Sequence, residues 1–169
     1  ASRQYFIERY VGIIRALSSR IQVVLVGTAE EAAIWNCFWN EEATNDGELH
    51  KVLNLMGKTS FREMVGLFKG AKLCIANDSG PAHIGSLSSA NTIVIYGCCS
   101  AESRKPLFSP ASEKVSLFSN GEACPHFPCY SGFGEPVCKN PEKFICLDVD
   151  SHSILTKAIK LCEFPAECN

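Results

Sequence analysis

The sequence predicts an α/β fold, a parallel sheet with helices on both faces. Three observations lead there. Short runs rich in β-branched and aliphatic residues, broken only by Gln22 and Asn54 in the first two, lack the regular alternation with polar residues of a half-exposed strand and follow the pattern of strands covered on both sides. Amphipathic stretches of helical spacing lie between them. Glycines and small polar clusters punctuate the joins, as βα units require. With 169 residues, 46% hydrophobic and 20% charged, the chain has enough apolar material for a core in about one domain.

Along residues 5–17, Ile7, Tyr10, Val11, Ile14 and Leu17 recur at spacings of three and four and form one face of a helix. The run 21–26 is the first strand, closed by Gly27, and residues 30–39 return to helical composition. Trp35 and Trp39, four apart, belong to a core or domain-contact face of that helix. The run 53–56 is the second strand. Ser60 then caps a helix over 61–68, and Gly70 ends it. A third strand at 73–76, a helix at about 81–87 and a fourth strand at 92–96, closed by Gly97, complete the alternation. Right-handed crossovers between such units give a doubly wound, Rossmann-like sheet whose strand carboxyl ends form one ligand-binding rim. Beyond Gly97 the regularity fades through residues 115–118 and a Cys-rich loop at about 120–147. A last helix is expected at about 151–162, with its apolar core over 154–161. The whole of 1–169 reads as one domain.

Sixteen Lys and Arg against eighteen Asp and Glu give a net charge of -2, without the basic excess that nucleic-acid binding draws on. No apolar run approaches the roughly 20 residues of a membrane span. The start, Ala1-Ser2-Arg3, has no basic and apolar leader pattern, and its lack of an initiator Met is expected of a piece of a longer protein.

The strongest motif is Asn77-Asp78-Ser79-Gly80-Pro81-Ala82-His83, where the third strand hands over to a helix. Gly80 permits close approach, Pro81 suits the first helical turn, and the free N–H groups of that turn attract anions such as a diphosphate. Asp78 would then accept hydrogen bonds from sugar hydroxyls; the plainer alternative is a helix cap with His83 filling space. Glu30, after Gly27-Thr28-Ala29, is placed to take ribose hydroxyls, or simply to favour the positive end of its helix. Gly57-Lys58-Thr59-Ser60 can edge a base, with Lys58 toward phosphate or on an ordinary solvated surface.

Four cysteines, Cys124, Cys129, Cys138 and Cys146, fall in one short stretch with Pro125, Pro128 and Gly132 between them. They suit a tetrahedral zinc or iron, reduced structural thiols, or two disulfides, and the spacing leaves all three open. Cys98-Cys99 is expected to be packing. His50, His126 and His152 have no partners of matching spacing.

The run from Asn77 to His83, followed by residues 92–97, resembles the signature of glycosyltransferase family 9, the ADP-heptose:lipopolysaccharide heptosyltransferases. Residues 3–10 are similar to the family's Lys-x-Trp-Pro-x-Glu-x-Phe, and residues 55–61 to its Leu-x-Gly-x-Thr-Ser-Leu. The Cys-rich segment is similar to one found in many members. The resemblance spans nearly the whole chain and corresponds to the carboxyl-terminal half of a GT-B fold, the half that holds the nucleotide-sugar.

The resemblance implies that Ser79 and Gly80 offer N–H groups to the diphosphate and that His83 supports their loop. Asp78 would face the sugar, Glu30 the ribose and Thr59 the adenine. Arg3 stands where the family has a phosphate-binding Lys. Gly97-Cys98-Cys99-Ser100 departs from the family's Gly-Pro-Thr, which bears on the sugar accepted. The expected partners are an ADP-sugar, a glycan or lipid-linked acceptor and an amino-terminal GT-B domain carrying the acidic general base. No cofactor is required, and the place of action is the cytoplasm or the inner membrane face. The alternatives are a non-catalytic nucleotide-binding domain, a nucleotide-sugar epimerase or a UDP-sugar transferase.

Overall fold

The computed structural model describes residues 4–43, 49–88, 90–107, 115–130 and 137–162. Its elements alternate through the first two thirds of the chain. They are α1 (Ile7–Ser18), β1 (Val24–Leu25), α2 (Ala29–Ala43), β2 (Leu53–Asn54), α3 (Phe61–Gly70), β3 (Leu73–Asn77), α4 (Gly80–Leu87) and β4 (Asn91–Tyr96). A short α5 (Ala101–Arg104), β5 (Val115–Ser119) and α6 (Ser151–Cys162) follow. Among the described residues all strand pairs are parallel, as the apolar runs predict, but the ladders form two sheets: β1 with β2, and β3-β4-β5 with β4 in the middle. The chain correspondingly divides into two compact units, one of residues 7–67 and the other of residues up to 6 together with those from 68 onward.

In the smaller unit, Val11 and Ile14 of α1, Trp35 of α2, Leu49 and Met56 form the core. The Trp35 ring meets Tyr10 at 6.2 Å and Trp39 at 6.3 Å between centroids, so the tryptophan pair is core, as its helical spacing predicts. β1 and β2 are shorter than their apolar runs. Backbone bonds nevertheless run past their ends on the same register, the carbonyls of Val23, Leu25 and Gly27 accepting the N–H groups of Leu53, Leu55 and Gly57 at 2.9, 3.0 and 2.9 Å, while the Asn54 side chain accepts the N–H of Met56 at 3.1 Å. Gly57 turns the chain at φ +70°, a conformation that favours glycine, with a built Cβ only 3.0 Å from the Ala29 backbone. At α3 the expected Ser60 cap is a reciprocal box. The Glu63 carboxylate accepts the Ser60 N–H at 2.8 Å and its hydroxyl at 2.6 Å, while Ser60 Oγ accepts the Glu63 N–H at 3.3 Å. Those bonds, the hydroxyl's first, hold the Glu63 carboxyl below its usual range.

The larger unit is built on β4, whose Ile93, Val94, Ile95 and Tyr96 are completely buried. Each such side chain contributes about 1.5–3 kcal/mol relative to exposure. β5, where the sequence pattern fades, pairs with β4 from Thr92↔Val115 to Tyr96↔Ser119. Its five residues are too short and too mixed in polarity to stand out without the neighbouring strand. α6 begins at an Asp150 cap: the carboxylate accepts the Ser153 hydroxyl at 2.6 Å and the N–H groups of Ser153 and His152 at 2.9 and 3.2 Å. At its far end the Asn91 amide donates to the Leu161 carbonyl at 2.7 Å, which ties α6 to β4. Ile154, Ala158 and Cys162 are its buried residues.

α4 lies close against the same sheet, and glycine permits it. A Cβ added at Gly85 would stand 2.8 Å from Cys74 Sγ, 3.0 Å from Cys74 Cβ and 3.3 Å from Thr92 Oγ1. Alanine gains about 1 kcal/mol of helix propensity over glycine, yet Cys74 Cβ sits on the β3 backbone and cannot rotate away. Gly85→Ala is therefore expected to destabilise the chain by about 1–3 kcal/mol net, in the range of overpacked cores. Urea denaturation measures this, and a variant as stable as the parent would mean that α4 slides along the sheet at little cost.

Candidate functional site: the rim beyond β3 and β4

β3 passes into α4 with almost no loop. The Asp78 N–H still donates to the Ile95 carbonyl of β4 at 3.1 Å, so the ladder holds Asp78 at the sheet edge. Ser79 follows in an extended conformation and occupies the cap position of α4, but its hydroxyl donates back to the Asn77 carbonyl at 3.2 Å and makes no cap bond. Pro81, which has no N–H, fills the first turn. A Cβ at exposed Gly80 would meet nothing within 4 Å. The start of α4 thus combines backbone N–H groups without a side-chain cap, the positive end of a helix dipole and open space, an arrangement that suits an anion. The turn is anchored from behind: Asn77 Oδ1 accepts the Tyr5 N–H at 3.1 Å, and the Tyr5 hydroxyl donates to the Val149 carbonyl at 2.8 Å.

Asp78 is 2% exposed, and its carboxylate is turned to Arg104 of α5. Arg104 Nε lies 3.0 Å from Oδ2 and 3.4 Å from Oδ1, with its N–H aligned on Oδ1, so Oδ2 has the ion-pair contact without an aligned donor. Burial explains the orientation, because a carboxylate withdrawn from water needs a charged partner. The carboxylate expected to face a sugar is thus enclosed in protein and paired with Arg104 in this structure.

Two more groups hold Arg104. The buried Tyr96 hydroxyl donates to its carbonyl at 3.1 Å, and the Tyr130 ring lies under its guanidinium, 5.6 Å from centroid to Cζ. Tyr130 is itself tied back to β4, since the Cys98 carbonyl accepts the N–H groups of Cys129 and Tyr130 at 3.2 and 3.3 Å. Burial pushes the Tyr96 phenol up to about 12, with the Asp78 charge adding to it, so the phenol stays a donor at neutral pH. Burial likewise raises the Cys99 thiol, again with Asp78 beside it. Sequence reasoning missed Arg104. The available signal was a lone arginine shortly after the fourth strand, on the rim already singled out.

The other expected residues are placed as follows. His83 is exposed on α4, and its carbonyl accepts the Ser86 hydroxyl at 2.8 Å. Glu30 is exposed in the first turn of α2, and its neighbour Glu31 makes the capping box there. Glu31 Oε2 accepts the Thr28 N–H at 2.8 Å, and Thr28 Oγ1 accepts the Glu31 N–H at 3.2 Å. Capping therefore does not occupy Glu30. Thr59 is half-buried just before the Ser60 cap, and Lys58 Nζ donates to the Asn54 carbonyl at 3.4 Å. Arg3 lies outside the described residues, as does Cys168.

Cys124, Cys129, Cys138 and Cys146 do converge. With Cys98 and His126 they line a cavity of about 10 Å³, room for one water-sized sphere. Cys98, expected only to pack, is thus a fifth thiol of the group. The described cysteines are free thiols, and among the described residues no group of three or more His, Cys, Asp or Glu side chains stands arranged to hold a metal ion. Backbone and amide donors meet two of the sulfurs: Phe144 N–H to Cys138 and Asn140 Nδ2 to Cys124, both at 3.4 Å. Burial, then the neighbouring thiols, pushes Cys146 up to about 11. Leu147, Phe127 and Phe144 pack around the cluster.

A parallel α/β sheet with an anion-suited strand-to-helix turn on its rim places the chain in the α/β class, and a solved structure shares this architecture. The chain superposes on the E. coli ADP-heptose lps heptosyltransferase II with a TM-score of 0.70 at 21% identity, covering 95% of this chain and 42% of that one. It therefore spans less than half the length of that protein and is similar in fold to the part of its GT-B architecture that it covers. The sequence profile of glycosyltransferase family 9 (heptosyltransferase) matches residues 1–131, and the chain belongs to that family. No curated protein sequence matches it significantly. No helix among the described residues is long and apolar enough to cross a membrane.

Proposed function

We propose that this chain is the donor-binding half of a glycosyltransferase that moves a heptose or related sugar from an ADP-sugar to a lipopolysaccharide-type or other glycan acceptor. The observation that carries the reading is the turn from β3 into α4, open at Gly80 and without a side-chain cap at Ser79, in a chain of family 9. Ser79 and Gly80 bind the diphosphate through backbone N–H groups, and exposed His83 borders the same turn. Asp78, paired with Arg104, is assigned to the sugar side of the same turn. Glu30 is assigned to the ribose hydroxyls, Thr59 to the adenine and Arg3 to phosphate. The general base and the acceptor surface are assigned to an amino-terminal GT-B domain, and the reaction to the inner face of the cytoplasmic membrane.

Calorimetry with ADP, UDP and adenosine tests the reading directly. The chain is expected to bind ADP, more weakly than a complete enzyme, with UDP weaker again. Absence of any heat or chemical-shift change at millimolar ADP, on folded protein, would sink the proposal. Preference for UDP over ADP would turn it toward a UDP-sugar enzyme.

A further inference from the structure

We infer that Arg104 is a phosphate-binding residue of this rim, held in a fixed orientation by Asp78, Tyr130 and Tyr96. The inference rests on the reading of the β3–α4 turn as a diphosphate site and names the side chain that completes it. Asp78 precedes Ser79 and Gly80 directly, so its partner Arg104 belongs to the same stretch of rim. The guanidinium uses Nε on the carboxylate at 3.0 Å. Its Nη groups carry the remaining donors, and no acceptor among the described residues meets them. The side chain remains 35% exposed.

An arginine held in this way loses little freedom on binding. Its ring contact with Tyr130 and the Tyr96 bond to its carbonyl fix both ends of the residue. The outward edge of a guanidinium is a planar fork that matches two phosphate oxygens, which an ammonium cannot do. Asp78 offsets the charge of Arg104, so the pair is neutral overall and binding gains from directed bonds more than from net charge. Asp78 is in this sense a positioning residue. Its burial and its partner explain why the motif has a carboxylate beside a turn that suits an anion.

The test compares two variants of the 169-residue chain, Asp78→Asn and Asp78→Asn/Arg104→Gln, so that neither strands a buried charge. Far-UV circular dichroism and urea denaturation establish that both fold. The double variant is expected to bind ADP about tenfold more weakly than Asp78→Asn, consistent with a charge-assisted bond of about 1.5 kcal/mol or more, while adenosine binds both equally. A merely structural arginine would weaken both ligands alike or neither. Equal ADP affinities in the two variants would overturn the role of Arg104 while leaving the donor-site reading intact. Failure of the unsubstituted chain to bind ADP would overturn that reading instead. Arg104→Lys, which keeps the charge but not the fork, is expected to weaken ADP several-fold; undiminished binding would remove the bidentate contact from the proposal.

Discussion

Replacing Arg104 by leucine is expected to destabilise the chain by about 3 kcal/mol at neutral pH, and adding Asp78→Asn is expected to recover a substantial part of the loss. Asp78 is 2% exposed and no aligned donor meets its Oδ2, so removing the guanidinium leaves a carboxylate buried without a counter-charge. Truncating one member of a buried pair costs about 3–5 kcal/mol. The lower end applies because Arg104 is partly hydrated. Leucine keeps much of the apolar contact with Tyr130, which separates the electrostatic loss from lost packing. A double-mutant cycle by urea denaturation reads the coupling, which should exceed about 1 kcal/mol. Coupling below about 0.5 kcal/mol would show that water or another donor serves Asp78.

The second large effect is an alkaline limb in stability. Cys74 on β3 is buried under α4, and burial pushes its thiol from 9.0 up to about 12. The folded chain keeps this proton after the unfolded chain has released its own. A group whose folded value is raised in this way contributes its full stabilisation below about pH 9. That contribution is lost as pH rises from 9 toward 12, on the order of 4 kcal/mol over the window. Cys146, raised to about 11, steepens the same limb. Cys74→Ala is expected to be less stable at pH 7 through the lost sulfur contacts, yet to show a shallower fall between pH 9 and 11. Urea midpoints over that range read the difference in slope. Parallel slopes for parent and variant would mean that water reaches Cys74 as easily in the fold as outside it.

Local chemistry made much of this protein legible. Apolar runs announced parallel strands because strands buried on both faces cannot alternate, and β4, with Ile93 to Tyr96 completely buried, is the clearest case. Ser60 announced the start of α3, and Glu63 three residues on completes the box through bonds that depend only on neighbours in sequence. The Asn77 to His83 motif announced a strand-to-helix turn for the same reason: its glycine, proline and small polar residues act within one turn of backbone.

Tertiary structure decided what depends on residues distant in sequence. β5 exists because β4 offers it a ladder, and α1 starts only at Ile7 because Tyr5 is bonded to Asn77 and Val149. The role of Asp78 was decided in the same way. By itself an aspartate before Ser-Gly can cap a helix, face a sugar or pair with a cation. Only the fold brings Arg104 to it from 26 positions away and removes water from around both oxygens, and in that low-dielectric setting the ion pair prevails over the cap. Cys98 followed the same physics: packing at the end of β4 made it part of a thiol cluster that its position beside Cys99 did not announce.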